Sequence, residues 1–138
     1  MSGNDCSCAG PPAPAAASSA ATPCGDGAQV TEVVWETLAL AASATQVSHP
    51  FSARGANALD IVILTINGAG AIQTLFQTQG SNDGFVWTNL GASGQSTAVG
   101  FTVMGPITGN SYARIRVVAV NQVANITMFT VILRLFCG

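Results

Sequence analysis

Four cysteines carry the sharpest chemical signal in this 138-residue chain: Cys6, Cys8, Cys24 and Cys137. A thiolate can ligate a metal, act as a nucleophile or be oxidised to a disulfide, and the spacing of the thiols helps to decide among these. Structural zinc sites favour two Cys-x2-4-Cys knuckles. One, fifteen and 112 residues separate the cysteines here, so no metal site is expected. Oxidation is left, within one chain or between chains. A disulfide that ties a loose arm to its own domain gains little where the domain already has a sizeable core. Reach is the better use of such an arm: from Cys8 to Cys24 the chain extends by about 3.3 Å per residue, roughly 50 Å in all, far enough to touch another copy.

Other reactive groups are sparse. His49 is the only histidine, and Pro50 after it favours an extended position. With no acid or nucleophile close to it in sequence, it makes a poor catalyst. Six carboxylates are scattered at Asp5, Asp26, Glu32, Glu36, Asp60 and Asp83. Glu32 and Glu36 share one strand face, where a solvated face is the simpler reading than an acid–base pair or a calcium site. Neither a phosphate-binding loop nor a nucleophile elbow occurs. The chain is therefore read as a non-enzyme with no cofactor and no small-molecule substrate. Trp87 and Tyr112 could stack a ligand, as in a carbohydrate-binding module. The stretch Gln79-Gly80-Ser81-Asn82-Asp83-Gly84, followed by Trp87-Thr88, resembles a turn of discoidin-like carbohydrate-binding sandwiches and of some phage virion proteins. Asp83-Gly84 makes the same turn with no ligand at all.

What must position these residues is an apolar chain of low charge. Hydrophobic residues make up 49% and charged ones 7%, against roughly 25% charged in ordinary soluble domains. There is no lysine; the four cations are Arg54, Arg114, Arg116 and Arg134. Lysine is the residue most used to keep sheet edges unpaired, so a chain without it is poorly defended against association. The net charge of -2 offers no basic field for a nucleic-acid backbone. No run reaches the roughly 18 to 20 apolar residues of a membrane-spanning helix, and the N-terminus lacks the basic start and apolar run of a secretory signal. Neither nucleic acid nor a membrane is expected as a partner.

Residues 1–27 form a distinct arm in which Pro11, Pro12, Pro14 and Pro23 alternate with alanines and serines. Such a composition has little to bury and favours extended backbone. Residues 28–138 change to short apolar runs bounded by turn residues, the texture of an all-β sandwich. Strands are expected at about 30–40, 45–50, 59–67, 71–79, 85–90, 97–104, 112–121 and 126–136. Asn67-Gly68 and Asp83-Gly84 read as hairpin turns, and Gly105-Pro106 with Thr108–Asn110 as a further turn. Eight antiparallel strands without helical periodicity predict a jelly-roll sandwich behind a flexible N-terminal arm. An immunoglobulin-like count of seven is the nearest rival.

The last two apolar runs are read as a strand pair joined by Gln122–Asn125. In the final run Phe129, Val131, Leu133, Leu135 and Cys137 fall on one face, and Ile126, Met128, Ile132 and Phe136 on the other. Leu59–Asn67 is apolar on both faces as well. Strands of this kind need cover on both sides, from their own chain or from a neighbouring copy. Self-assembly is the function this implies.

Two cysteines close together in an arm, one at the arm–domain junction and one in the last strand resemble the arrangement in the endospore appendage (spore pilus) subunits of bacilli. In that family flexible arms cross-link stacked β-sandwich subunits into fibres. The resemblance implies a homopolymer outside the cell or on a spore surface. It also implies that Cys6 and Cys8 bond to Cys24 and Cys137 of other copies. Here Ser7 separates the two arm cysteines, which in that family are usually adjacent. A virion decoration or tail component is the alternative that would use the same apolar faces, and a carbohydrate-binding module the one that would use Trp87 or Tyr112.

Overall fold

The computed structural model describes residues 28–68 and 70–137, so the arm of residues 1–27, with Cys6, Cys8 and Cys24, lies outside the described residues. Nine strands are found among the described residues: β1 (Gln29–Leu40), β2 (Thr45–Val47), β3 (Phe51–Ser52), β4 (Ala58–Gly68), β5 (Thr74–Ser81), β6 (Thr88–Ser96), β7 (Gly100–Thr108), β8 (Arg114–Asn121) and β9 (Thr127–Phe136). Because strand side chains alternate between faces, β9 buries Phe129, Val131, Leu133 and Leu135 completely and leaves the residues between them half-buried. β8 does the same with Ile115, Val117 and Ala119. Each strand thus offers one dry face, and two sheets close over those faces.

The four-stranded sheet runs β1-β9-β4-β7, and the five-stranded sheet runs β2-β8-β5-β6 with β3 also on β8. All pairings are antiparallel. β2 and β3 pair with successive parts of β8, Val47 with Val118 and Ser52 with Arg114. They act as one strand interrupted at His49-Pro50, since proline cannot donate to the ladder. Counted that way the fold is the expected eight-stranded jelly roll.

Several local expectations are corrected. β8 and β9 lie in different sheets and do not form a hydrogen-bonded pair; the Gln122–Asn125 connection carries the chain from one layer to the other. Asn67-Gly68 likewise ends β4 at a crossing between layers and makes no hairpin to β5. Asp83-Gly84 does join neighbours, since β5 pairs β6. Gly105-Pro106 lies inside β7, where the register to β4 shifts between Leu59 and Ile61. Strand β6 extends through Gly91–Ser96, residues too small and polar to show alternation. Two glycines there and in β5 set the packing. A Cβ on Gly94 would come within 2.9 Å of Met104 Sδ, and one on Gly80 within 2.7 Å of the Tyr112 ring. Only glycine lets these side chains lie against the sheet.

Between the layers, Phe129 of β9 stands edge-on to Phe76 of β5 with ring centroids 5.1 Å apart and meets Trp35 of β1 at 6.0 Å. Leu59, Ile61 and Ile63 of β4 complete the dry interior, each fully buried. Strict alternation along β1 would put Trp35 beside Val33 and Thr37 on the face opposite Val34. Register shifts in β1 opposite Phe129, Val131 and Ile132, together with Thr37 at φ 54°, break that alternation and turn Trp35 towards the core. At one end of the sandwich, Asn121 donates to the carbonyls of Leu40, Ala41 and Asn125, tying three segments where the sheets open.

Candidate functional site

The outer face of the five-stranded sheet mixes polar side chains with Val47, Val118, Leu75 and Val120. On the five-stranded sheet Gln79 donates to Asn89 Oδ1 at 2.9 Å and accepts from Arg116 Nε at 2.8 Å, an ordinary solvated polar network. On the four-stranded sheet one row runs through all four strands. Val33 of β1 lies opposite Ile132 of β9, Ile132 opposite Val62 of β4, and Val62 opposite Val103 of β7. The adjacent row is Thr130, Leu64 and Phe101. Val33 is 55% exposed, Val103 54% and Phe101 74%. Both faces of β9 and β4 are therefore apolar, as the sequence indicates, but only one is covered by the described residues.

One ion pair interrupts this face. Asp60 is buried and accepts from Arg134 through both carboxylate oxygens, with Nε to Oδ1 at 2.7 Å. The hydrogen bond to Asp60 raises the Arg134 pKa further above its usual value, so the guanidinium keeps its charge beside this carboxyl. The guanidinium also lies 5.6 Å from the Phe136 ring centroid. The row of valines and isoleucine is thus flanked by a pair whose charges are already matched. Glu32 meets Arg54 at 3.6 Å, while Glu36 is exposed within the shifted part of β1. His49 is exposed, its ring tilted 4.3 Å from that of Phe51. Among the described residues no three His, Cys, Asp or Glu side chains come together.

The Asp83 turn is built from its own polar groups. Asp83 Oδ1 accepts from the backbone of Phe85 at 2.8 Å and of Val86 at 2.9 Å, and Ser81 Oγ accepts from Gly84 N at 2.9 Å. Trp87 Nε1 donates to Gly84 O at 3.3 Å, and the Arg116 guanidinium covers its ring at 4.2 Å. Tyr112 packs against Gly80 and the core cluster. Both aromatic residues proposed for stacking are therefore engaged within the chain, and the turn instead presents Phe85, 89% exposed, to solvent.

The N–H groups of Val86 and Phe85, and then the Ser81 hydroxyl, hold the Asp83 carboxyl below the usual carboxylate range. Its folded pKa is depressed, so its contribution is present above the unfolded value and is lost as pH falls through the folded one. The Trp87 indole N–H resonance should accordingly shift on acidification below about pH 3.9. In Asp83→Ala the same resonance should already sit at its released position at neutral pH; an unchanged signal in that variant would show that the turn does not depend on the carboxylate.

Cys137 is the one cysteine among the described residues; it is buried in the core cluster and is not a free thiol. Its backbone N–H donates to Ala28 O at 2.9 Å, beside the point where the arm enters the sandwich.

No family model and no curated protein matches the sequence. Among solved structures, the chain superposes on the PBSX exported protein XepA with a TM-score of 0.64 and 20% identity, over 86% of its own length. The fold is shared with that protein. The chain spans 40% of the XepA structure. The SPBc2 prophage-derived protein YomS matches with a TM-score of 0.49 at 9% identity, over 77% of this chain and 93% of that one. A structure from a family of disulfide-linked pili, the Bacillus endospore appendages, matches with a TM-score of 0.42 at 11% identity, over 87% of this chain and all of the other.

Proposed function

We propose that the chain is a structural subunit that associates with further copies of itself through the outer face of the four-stranded sheet and its edges. Cys6 and Cys8 of the arm then link copies covalently. The observation that carries this reading is the row Val33–Ile132–Val62–Val103 with Phe101 beside it, open to solvent on one outer face of the sandwich. A surface of branched apolar side chains has the composition of a sandwich interior, and covering it with a like surface releases the water it orders. Contacts that do not close on themselves make helical fibres. The assembly then belongs outside the cell, on a spore or on a virion surface, where oxidised thiols persist.

Sedimentation and negative-stain imaging of the purified protein should show large homopolymers. Non-reducing denaturing gels should show a ladder of covalent multimers that reductant collapses to the 13.9 kDa chain. Cys6→Ser/Cys8→Ser should remove the ladder and leave non-covalent assemblies in place. A monomer at micromolar concentration, with or without reductant, would overturn the proposal.

A further inference from the structure

We propose that the turn from Asp83 to Trp87 and the outer face of β8 beside it form a binding site for an acidic saccharide, held through its carboxylate by Arg114 and Arg116. Of the four arginines, Arg54 meets Glu32 and Arg134 meets Asp60, while Arg114 and Arg116 meet no carboxylate among the described residues. The two stand two positions apart on β8, roughly 6.6 Å along the strand, with their side chains to the same side. The nearest acid in the turn, Asp83, spends Oδ1 on the Phe85 and Val86 N–H groups and the Ser81 hydroxyl. One positive charge is left in excess there. That suits a singly charged ligand, and not a dense polyanion, which needs a row of cations.

Both guanidiniums are positioned by the same turn. Arg116 donates through Nε to Gln79 Oε1 at 2.8 Å and lies over the Trp87 ring, whose Nε1 donates to Gly84 O. Arg114 lies over Gly84 itself: a Cβ at that position would stand 2.6 Å from Arg114 Nη1, so only glycine leaves it room. Groups ordered before a ligand arrives cost less freedom on binding.

The surrounding amides are turned to present donors. An arginine can only donate, so Gln79 faces it with its oxygen, gives its own NH2 to Asn89 Oδ1 at 2.9 Å, and leaves the Asn89 NH2 outermost. Asn82, at the start of the turn, likewise spends Oδ1 on the Ala113 N–H at 2.9 Å and keeps its NH2. Guanidinium forks pair with planar carboxylates, and the leftover amide donors suit hydroxyl oxygens. Phe85, 89% exposed on the backbone that Asp83 holds, adds an aromatic face that nothing in the described chain covers. A uronic acid carries the three matching features: one carboxylate, several hydroxyls and an apolar ring face.

Saturation-transfer difference spectra of D-galacturonic acid with the full chain test the site, whether the chain is assembled or not. The expected result is a saturable signal that the neutral counterpart D-galactose lacks and that fades as salt rises. Arg114→Gln should weaken binding about tenfold, and Phe85→Ala about threefold with every charge kept. Arg114→Lys, which keeps the charge and loses the fork, should fall between Arg114→Gln and the parent. Both Arg114 and Phe85 are exposed, so circular dichroism should show folded variants. No saturable signal, an equal signal from galactose, or unchanged binding in both Arg114→Gln and Phe85→Ala overturns the proposal. So does full displacement of galacturonate by equimolar acetate or inorganic phosphate, which would show general anion contact only. Assembly is read separately by sedimentation without the sugar, so either proposal can fail alone.

Discussion

Phe101→Lys/Val103→Lys should yield a folded monomer that no longer assembles. Both residues sit on β7, an edge strand, and are 74% and 54% exposed, so neither contributes much to the interior of a single chain. Substitutions at such positions usually change stability by less than about 0.5 kcal/mol. Association is another matter. A lysine ammonium pressed against a dry partner surface loses its hydration, at an effective cost of several kcal/mol per ion when no anion meets it. Among the described residues the one buried carboxylate on this face, Asp60, is already held by Arg134. Two such charges weaken the contact by more than about a thousandfold, taking roughly 1.4 kcal/mol for each tenfold. Thermal unfolding followed by circular dichroism should match the parent chain, while sedimentation velocity should show a single slow species. Assemblies of the parent's size in this variant would show that the apolar face is not where the copies meet.

The all-β class and the dry faces of β4 and β9 are legible in the sequence because burial on alternate positions leaves a period-two record, clearest where Leu59, Ile61 and Ile63 or Phe129 to Leu135 leave no gaps. Strand β6 left no such record. Its Gly91 and Gly94 are small because Ile107 and Met104 of β7 lie over them, with atoms 3.0 and 2.9 Å from where a Cβ would be. The constraint comes from a different strand, so local pattern cannot show it. Turn chemistry misled where it was read as connectivity: Asn67-Gly68 suits a tight turn, yet nothing in two residues says whether the next strand pairs alongside or crosses to the other layer. The site was legible in the same partial way. Two-sided apolar strands announce an uncovered face, but which face is covered by the chain follows from the layer arrangement. The partners that shape the surface are remote, with Arg134 reaching Asp60 across 74 positions and Arg116 meeting Gln79 across 37. Trp87 alone reads as an exposed platform; only the sheet brings Arg116 over it.

Phe129→Ala should have the opposite signature to the surface lysines: assembly fails because the subunit itself is destabilised. Phe129 is fully buried at the centre of β9, edge-on to Phe76 across the layers and to Trp35 within its own sheet. Truncating a buried phenylalanine costs about 3–5 kcal/mol, from lost transfer energy and from the cavity left behind. Two edge-to-face partners place this site in the upper part of that range, since each such pair contributes about 0.5–1.5 kcal/mol beyond area burial. The site also collapses poorly. Val131 and Leu133 on β9 and Ile61 and Ile63 on β4 belong to strands hydrogen-bonded on both sides, so their backbones cannot move inward to fill the space. Domains of this size are stable by about 5–15 kcal/mol, so the variant loses a large share of its margin and its melting temperature should fall by roughly 10–20 °C. Phe101→Ala is the control, an equal truncation on the outer face of the same sheet, expected to leave the melting temperature of the reduced monomer within about 2 °C. If the two variants melt alike, the division of this sheet into a buried inner face and an open outer face is wrong, and with it the surface on which the proposed assembly rests.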